Sequence, residues 1–492
     1  MTQHHADIFQ RKTKRRLWPF VLFLILFFGV LAGFGYYKII NTDIADIFES
    51  NFIQKQMQHY VPEEYKSTLD MLPALLGFES PKTYLIVFQN DTELRTGGGF
   101  IGSYATIRVT RGNVEVLALE GTETLDKNTP ESWRPEPPAI MKKELGVDRW
   151  YFRDSNWDPL FYPNAARALQ FYRAEGGVAG EELDGLITID TQVLETFMGL
   201  SGPMTVQGIT FTKENVTETL EYEVEYGFAK RGIPFEERKQ IMKPLFHALL
   251  KKIGVHVVTE PEAYIVTMES LAKEKHIAVY LTDPVAQLEM EKIGFSGKEG
   301  DVTGDFLLWT DANLAALKTD HAMKRELRYD IRTGEGGPVH VAEMIYTHTG
   351  TFDWRTSRYR TYARIFVPEG GELKEVVVTE KNGSVQTISP ERAVIEPYGE
   401  RVSFGYFFVV EPGDERRLAF IYTIPPHIGQ ASPYQLHVLK QFGTDAHSLT
   451  LSLDFGKNIT AADPPEEQQE WGDAAYRAET DLRVDRAFRV DF

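Results

Sequence analysis

No cysteine occurs anywhere in the sequence. That absence excludes disulfides, thiol nucleophiles, Cys-based zinc sites and thiolate-held iron–sulfur clusters together. At 492 residues the chain can still rest on hydrophobic cores alone. The Gly-x-Ser-x-Gly elbow, the HExxH helix and the dinucleotide-binding glycine fingerprint are also missing, as are internal repeats and low-complexity blocks. Positive charge is scarce, with 53 Lys and Arg against 71 Asp and Glu for a net −18. Residues 1–37 hold five basic side chains and one acidic, so the remainder carries −22. Such a field repels nucleic acid and other polyanions as principal partners, although a local basic pocket could still hold a phosphate.

Long apolar runs are absent with one exception. Leu17 to Tyr37 is uncharged over 21 residues, of which 13 are Leu, Ile, Val or Phe. That length crosses a hydrocarbon core of ~30 Å as a helix. Trp18, Tyr36 and Tyr37 fit interfacial positions, and Arg11, Lys12, Lys14, Arg15 and Arg16 hold the N-terminus in the cytoplasm. A cleaved signal peptide ending near Ala32 is the alternative, but the apolar run continues past that point. The expectation is a single-pass anchor in membrane lipid at the cell membrane, with everything after it outside the cytoplasm.

The remaining pattern divides the chain. A basic tail covers 1–16, the membrane helix 17–37 and a helical stalk 38–80, where Ile40, Ile44, Ile47, Phe48 and Phe52 recur at helical spacing. Tyr84 to Phe88 is a continuous apolar run of strand length, as for a strand buried on both faces. Strands follow at Phe100–Val109 and Val114–Leu119, with Arg111-Gly112-Asn113 as the turn between them. Helices near 139–145 and 163–175, a strand over Leu186–Ile189 with Asp190 as cap of the next helix, and helices at about 213–229 and 235–253 complete an alternating pattern. Phe306–Trp309 reads as a further strand of this unit. The fold class is therefore α/β: an α/β/α sandwich with a mixed central sheet over 81–322, followed by a β-sandwich over 323–492 built from short alternating strands.

Two segments concentrate chemistry. Residues 90–103 follow the buried strand, where open α/β sheets place ligands. Gly97, Gly98 and Gly99 could turn backbone N–H groups toward an anion, with Arg95 adding a bidentate contact; the bland reading is a glycine turn and a structural ion pair. Residues 153–159 gather Arg153, Asp154, Asn156, Trp157 and Asp158. Asp154 and Asp158 could hold a divalent cation such as Mg²⁺ while Arg153 holds a phosphate oxygen, or the segment could be a set of turns with Trp157 as a lid. A third group, Lys230, Arg231, Arg238 and Lys239, gathers basic side chains in an acidic domain; it is either a pyrophosphate clamp or a solvated helix face.

The order FQNDTELRTGGGFIGSY (88–104), RDSNWDPLFYPNAARALQFY (153–172) and LDGLITIDTQVLETFMGLSGPMTV (183–206) resembles a bacterial family, the domain-of-unknown-function family numbered 4012. The resemblance implies an N-terminal membrane helix and an exported body, and no reaction. A fainter likeness is to the LytR–CpsA–Psr family, envelope enzymes that move glycopolymers from polyprenyl-pyrophosphate carriers. On that likeness Arg95, Arg231, Arg238 and Lys239 would face a pyrophosphate. Where that family has a metal-binding aspartate, this chain reads Thr96-Gly97. The functional expectation is an anchored envelope protein that binds or transfers a lipid-linked glycan, with Arg95, Arg153 and Arg231 on the diphosphate and Asp154 or Asp158 on Mg²⁺. The alternative is a non-catalytic scaffold that uses its β-sandwich to bind protein or glycan.

Overall fold

In a computed structural model of the chain, residues 66–300, 302–334 and 337–492 are described. The apolar segment 17–37 and most of the stalk lie outside them. Among the described residues no helix is long and apolar enough to cross a membrane.

The first described helix, α1 (Lys66–Leu75), buries Leu72 against the body. The chain then enters β1 (Lys82–Arg95), β2 (Gly98–Thr110) and β3 (Asn113–Gly121). The turn from β2 to β3 is Arg111-Gly112, both at positive φ, the backbone that matches the twist of a two-residue hairpin. With β4 (Leu183–Ile189) and β5 (Ile277–Leu281) these strands form one sheet of order β3-β2-β1-β4-β5. Only β1 and β4 run parallel, so the sheet is mixed, as expected.

Period two in β1 serves both faces. Tyr84, Ile86 and Phe88 point one way, while Leu85 and Val87 point the other. Helices α2 (Thr122–Asn128) and α4 (Phe161–Ala174) cover the second face, packing Leu125, Phe161, Ala165 and Leu169 on Leu85 and Val87. Between them lies α3 (Ala139–Leu145). The first face is covered by α5 (Thr191–Ser201), α6 (Val216–Tyr222), α7 (Met242–Thr259) and α8 (Pro261–Lys273), with α9 (Pro284–Lys292) at the edge. Asp190 caps α5 as expected, accepting from Gln192 N at 3.1 Å and Val193 N at 3.4 Å. The helix expected at 213–229 runs from Val216 to Lys230, with a π-helical turn over Glu223–Gly227 inside it. The one expected from 235 opens as a 3-10 turn over Phe235–Glu237 after the extended Pro234 and becomes α-helical only at Met242.

The boundary between the two layers of architecture falls earlier than the sequence suggested. The strand β6 (Asp305–Asn313), assigned from its pattern to the α/β unit, is instead the middle strand of a C-terminal sheet. It is buried along its whole length, which an apolar run cannot distinguish from burial in the first sheet. Two seven-stranded sheets make the sandwich over one contiguous core containing Trp309, Tyr346, Ile365, Phe420 and Leu451.

Candidate functional site

The two glycine- and aspartate-rich motifs meet in space, but they do so at the buried seam between the domains. Asn156 Nδ2 donates to Gly99 O at 2.7 Å and Gly97 N donates to Asn156 O at 3.0 Å. A Cβ on Gly97 would fall 1.9 Å from Asn164 Nδ2 and 2.7 Å from Asp158 O, so the glycine permits close packing. Gly98 has φ +118° against the Gln89 side chain, and Gly99 abuts the Asn90 backbone. No row of N–H groups is left facing an anion here; the glycine turn is filled by protein.

Arg95 is buried and spends its guanidinium inside this seam. Nε donates to Asp154 Oδ1 at 2.8 Å, one terminal nitrogen to Asn313 O at 2.9 Å and Leu94 O at 3.2 Å, and the other to Glu93 at 3.1 Å. Burial works against its charge, but Asp154 and Glu93 outweigh it and raise its pKa. From the sandwich, Arg364 donates to Thr96 Oγ1 at 2.7 Å and Gln441 Nε2 to Arg95 O at 3.0 Å. Asp158 accepts from Tyr398 OH at 2.5 Å and from Leu160 N at 3.0 Å, and Trp157 stacks on Tyr362. The expectation of an open Arg95–glycine anion site is thus corrected to an interdomain clasp. The donor set does not fit Mg²⁺ either. Asp154 is committed to Arg95, Asp158 to Tyr398, and among the described residues no three metal-ligating side chains converge.

Arg231 also stands apart, paired with Glu223 at 2.5 Å just past its helix end and not among the residues that line the cavity. Arg153, Arg238 and Lys239 do come together. They lie at one end of a cavity of about 400 Å³ between the sheet and helices α5, α6 and α7, a size within the ~300–1,000 Å³ range of small-molecule sites. Its walls are apolar: Ile86, Phe88, Ala105 and Ile107 from the sheet, Phe197, Leu220, Phe246 and Ile253 from the helices. The ionic end lies at the carboxyl ends of β1 and β4, beside Ser103, which pairs with Phe88. That is where open α/β sheets accept ligands.

At this end Lys239 Nζ donates to Gly102 O and Glu123 Oε2, each at 2.6 Å, and Arg238 meets Glu123 at 3.0 Å. Burial pulls the Lys239 pKa down, and Glu123 only partly restores it. Glu123 itself is held low, because Lys239 and Arg238 outweigh its own desolvation. Arg153 reaches Asp126 at 2.9 Å, and burial first, then Asp154 and Glu123, pushes Asp126 up to about 6. Opposite, Glu221 from α6 accepts from Asn90 Nδ2 at 2.9 Å and Thr92 Oγ1 at 2.5 Å, and pairs with Arg355 of the sandwich at 2.6 Å. Lys318, also from the sandwich, faces Glu225 at 3.4 Å. Asp190 and Thr191 close the floor, with Asp190 bonded to His276 Nδ1 at 2.6 Å. Burial raises Asp190 and lowers His276 to about 3, so the imidazole is neutral at pH 7.

Sequence reasoning expected an apolar groove ending at a basic pocket, but it did not give Glu123, Glu221 or Lys318 as site residues, nor the residues that line the cavity. Its wall residues carry the same apolar signature as a packed core. The one available signal was Arg238 and Lys239 standing directly before the apolar helix α7.

No curated protein matches the sequence. Two solved structures share weak likeness. One is a candidate nutrient-binding protein of Legionella pneumophila, 9% identical, covering 39% of this chain and 72% of its own, with a TM-score of 0.24. The other is a candidate protease of Parabacteroides distasonis, 10% identical, covering 35% and 41%, with a TM-score of 0.20. Neither carries an argument about this chain. Residues 79–224 match the model of a family described as protein of unknown function, DUF4012, the family to which the motifs in that segment pointed.

Proposed function

We propose that the protein binds a lipid with a long polyprenyl-type chain and a phosphate or pyrophosphate head. The head-proximal units of the chain lie in the apolar cavity and the head at Arg153, Arg238 and Lys239. The observation that carries this reading is one cavity with mostly apolar walls and an ionic end, where Arg153, Arg238 and Lys239 stand with Glu123. Each methylene moved from water into such a cavity contributes about 0.8 kcal/mol. An anionic head adds a partner for Lys239, whose charge is costly where it stands. The head would take over from Glu123 as the partner of Arg238 and Lys239.

A glycan attached to the head would extend out of the mouth. Transfer chemistry is not part of the proposal, because Asp154 and Asp158 are bonded into the clasp. The basic tail and apolar run at 11–37 put the site outside the cytoplasm in this reading. The test is binding of polyprenyl phosphate in detergent micelles to the full chain, with inorganic pyrophosphate as the head-only probe. Saturable lipid binding that weakens about tenfold or more in Arg238→Ala/Lys239→Ala, and not in Arg231→Ala, is the expected result. No saturable binding to folded protein, or equal binding by the double variant, overturns it.

A further inference from the structure

The helix that walls the cavity carries three side-chain stripes in a fixed order. Leu220 and Val224 line the cavity, Glu221 and Glu225 stand at its polar end, and Tyr222 and Tyr226 lie beyond them. Positions four apart share a helix face, so the order is apolar lining, ionic rim, outer aromatic face. Trp354 from the sandwich packs edge-on against both tyrosines at 5.5 and 5.6 Å. The surface continues on both sides. The loop bearing Leu317 bridges to Thr356 beside Trp354, and Phe235 packs under Arg238 at 4.1 Å.

The tips of these segments expose apolar side chains to water: Tyr226 at 46%, Leu317 at 50%, Phe235 at 55% and Phe352 at 62%. Contiguous exposed apolar surface of this kind marks an interaction site. Local charge is close to balanced. Residues 213–243 hold six basic and seven acidic side chains, in a body that otherwise carries most of the −22. A patch that is nearly neutral, aromatic and apolar suits the interface of a bilayer better than an acidic or basic protein partner.

We infer that this rim is a membrane-docking surface: Phe235, Leu317 and Phe352 enter the interfacial layer of a bilayer and set the cavity mouth against the lipid it takes up. The inference rests on the lipid-binding reading and adds to it the route of entry. A lipid tail that left the bilayer across open water would expose the same apolar surface the cavity hides. A mouth pressed into the interface removes that step.

The missing cysteines make the test direct, since one introduced thiol is the only one in the chain. Phe235→Cys, Phe352→Cys and, as a distal control, Val385→Cys are each labelled with a polarity-sensitive fluorophore. The full chain is then reconstituted in phosphatidylcholine vesicles carrying acyl-chain-brominated lipid. Blue-shifted, quenched emission at positions 235 and 352, with neither change at 385, is the expected result. Fluorescence at 235 and 352 that matches the control overturns the inference. In parallel, a Leu317→Ser/Phe352→Ser variant should load polyprenyl phosphate from vesicles about tenfold more slowly, yet bind it normally from detergent micelles. Equal loading from vesicles overturns docking while leaving the cavity reading intact. Loss of binding from micelles as well would instead place these side chains in the cavity itself and overturn the assignment to a membrane surface.

Discussion

Replacing Arg95 with alanine separates a clasp from a ligand site. The guanidinium is buried and bonded to Asp154, Glu93 and the carbonyls of Leu94 and Asn313. Alanine leaves Asp154 in place with only Arg153, at 3.6 Å, as a cationic neighbour. Removing one partner of a buried pair costs about 3–5 kcal/mol, and each carbonyl stripped of its donor adds about 1–3 kcal/mol. Part of this is recovered as water enters the seam, so a net loss of about 4 kcal/mol is expected. The seam joins two domains, so urea unfolding of Arg95→Ala should move to lower concentration and separate into two steps. Replacing both partners, as Arg95→Met/Asp154→Leu, should recover part of the loss, because Asp154 then leaves no buried charge and Glu93 keeps Lys318 as a cationic neighbour. Binding of polyprenyl phosphate, measured under conditions where the variant is folded, should persist because Arg95 does not line the cavity. An Arg95→Ala protein as stable as the parent that no longer binds the lipid would refute this reasoning and return Arg95 to the ligand.

Gly97→Ala should destabilise by about 1–3 kcal/mol or more, since its Cβ meets the Asp158 and Asn156 carbonyls at 2.7 and 2.9 Å; urea midpoints measure it. Glu175, whose carboxyl accepts from Phe152 N at 2.8 Å, is pushed up to about 8 by burial first and Asp126 next. The folded state therefore holds a proton that the unfolded chain releases above about pH 4.3. The contribution of Glu175 to stability should be fully present below that pH and be lost as pH rises toward 8. Asp126, raised to about 6, contributes in the same direction over the lower part of that window. Thermal unfolding of Glu175→Gln at pH 5 and pH 8 should show a smaller difference than the parent. Ala105→Trp projects an indole into the cavity from β2 and should weaken polyprenyl phosphate binding about tenfold or more while altering stability by about 1 kcal/mol or less, by titration and thermal unfolding.

The elements that could be read from sequence were those fixed by local chemistry. The apolar run at Tyr84–Phe88, the Arg111-Gly112 turn and the Asp190 cap each depend on a few neighbouring residues, and all three stand where expected. The clasp could be read only halfway. Residues 95–99 and 153–158 do converge, but an arginine and an aspartate 59 positions apart look the same whether they bind each other or a phosphate between them. What decides is the third participant, the sandwich loop bearing Gln441 and the strand bearing Arg364, and nothing near the motifs announces it. Phe306–Trp309 illustrates the same limit for the fold, since burial on both faces does not say in which sheet. The lining of the cavity was hidden because it is compositionally a core.

The clasp and the cavity mouth are built from one strand end, which gives the motif a functional consequence without making it a ligand site. The register of β1 against β2 breaks between Asn90 and Leu94, and the residues between bulge away from the ladder. Before the bulge, Asn90 bonds Glu221 at the mouth, and Thr92 within it bonds the same carboxylate. After it, Arg95 and Thr96 are held by the sandwich. Glu93 sits between them, bonded to Arg95 and close enough to Lys318 to feel its charge. The sandwich in turn delivers Arg355 to Glu221 and Lys318 to Glu225. A shift of the domain seam therefore moves the ionic rim by a short, covalently continuous route. The glycines and Arg95 act on the mouth from behind, by fixing where β1 ends and where the second domain meets it.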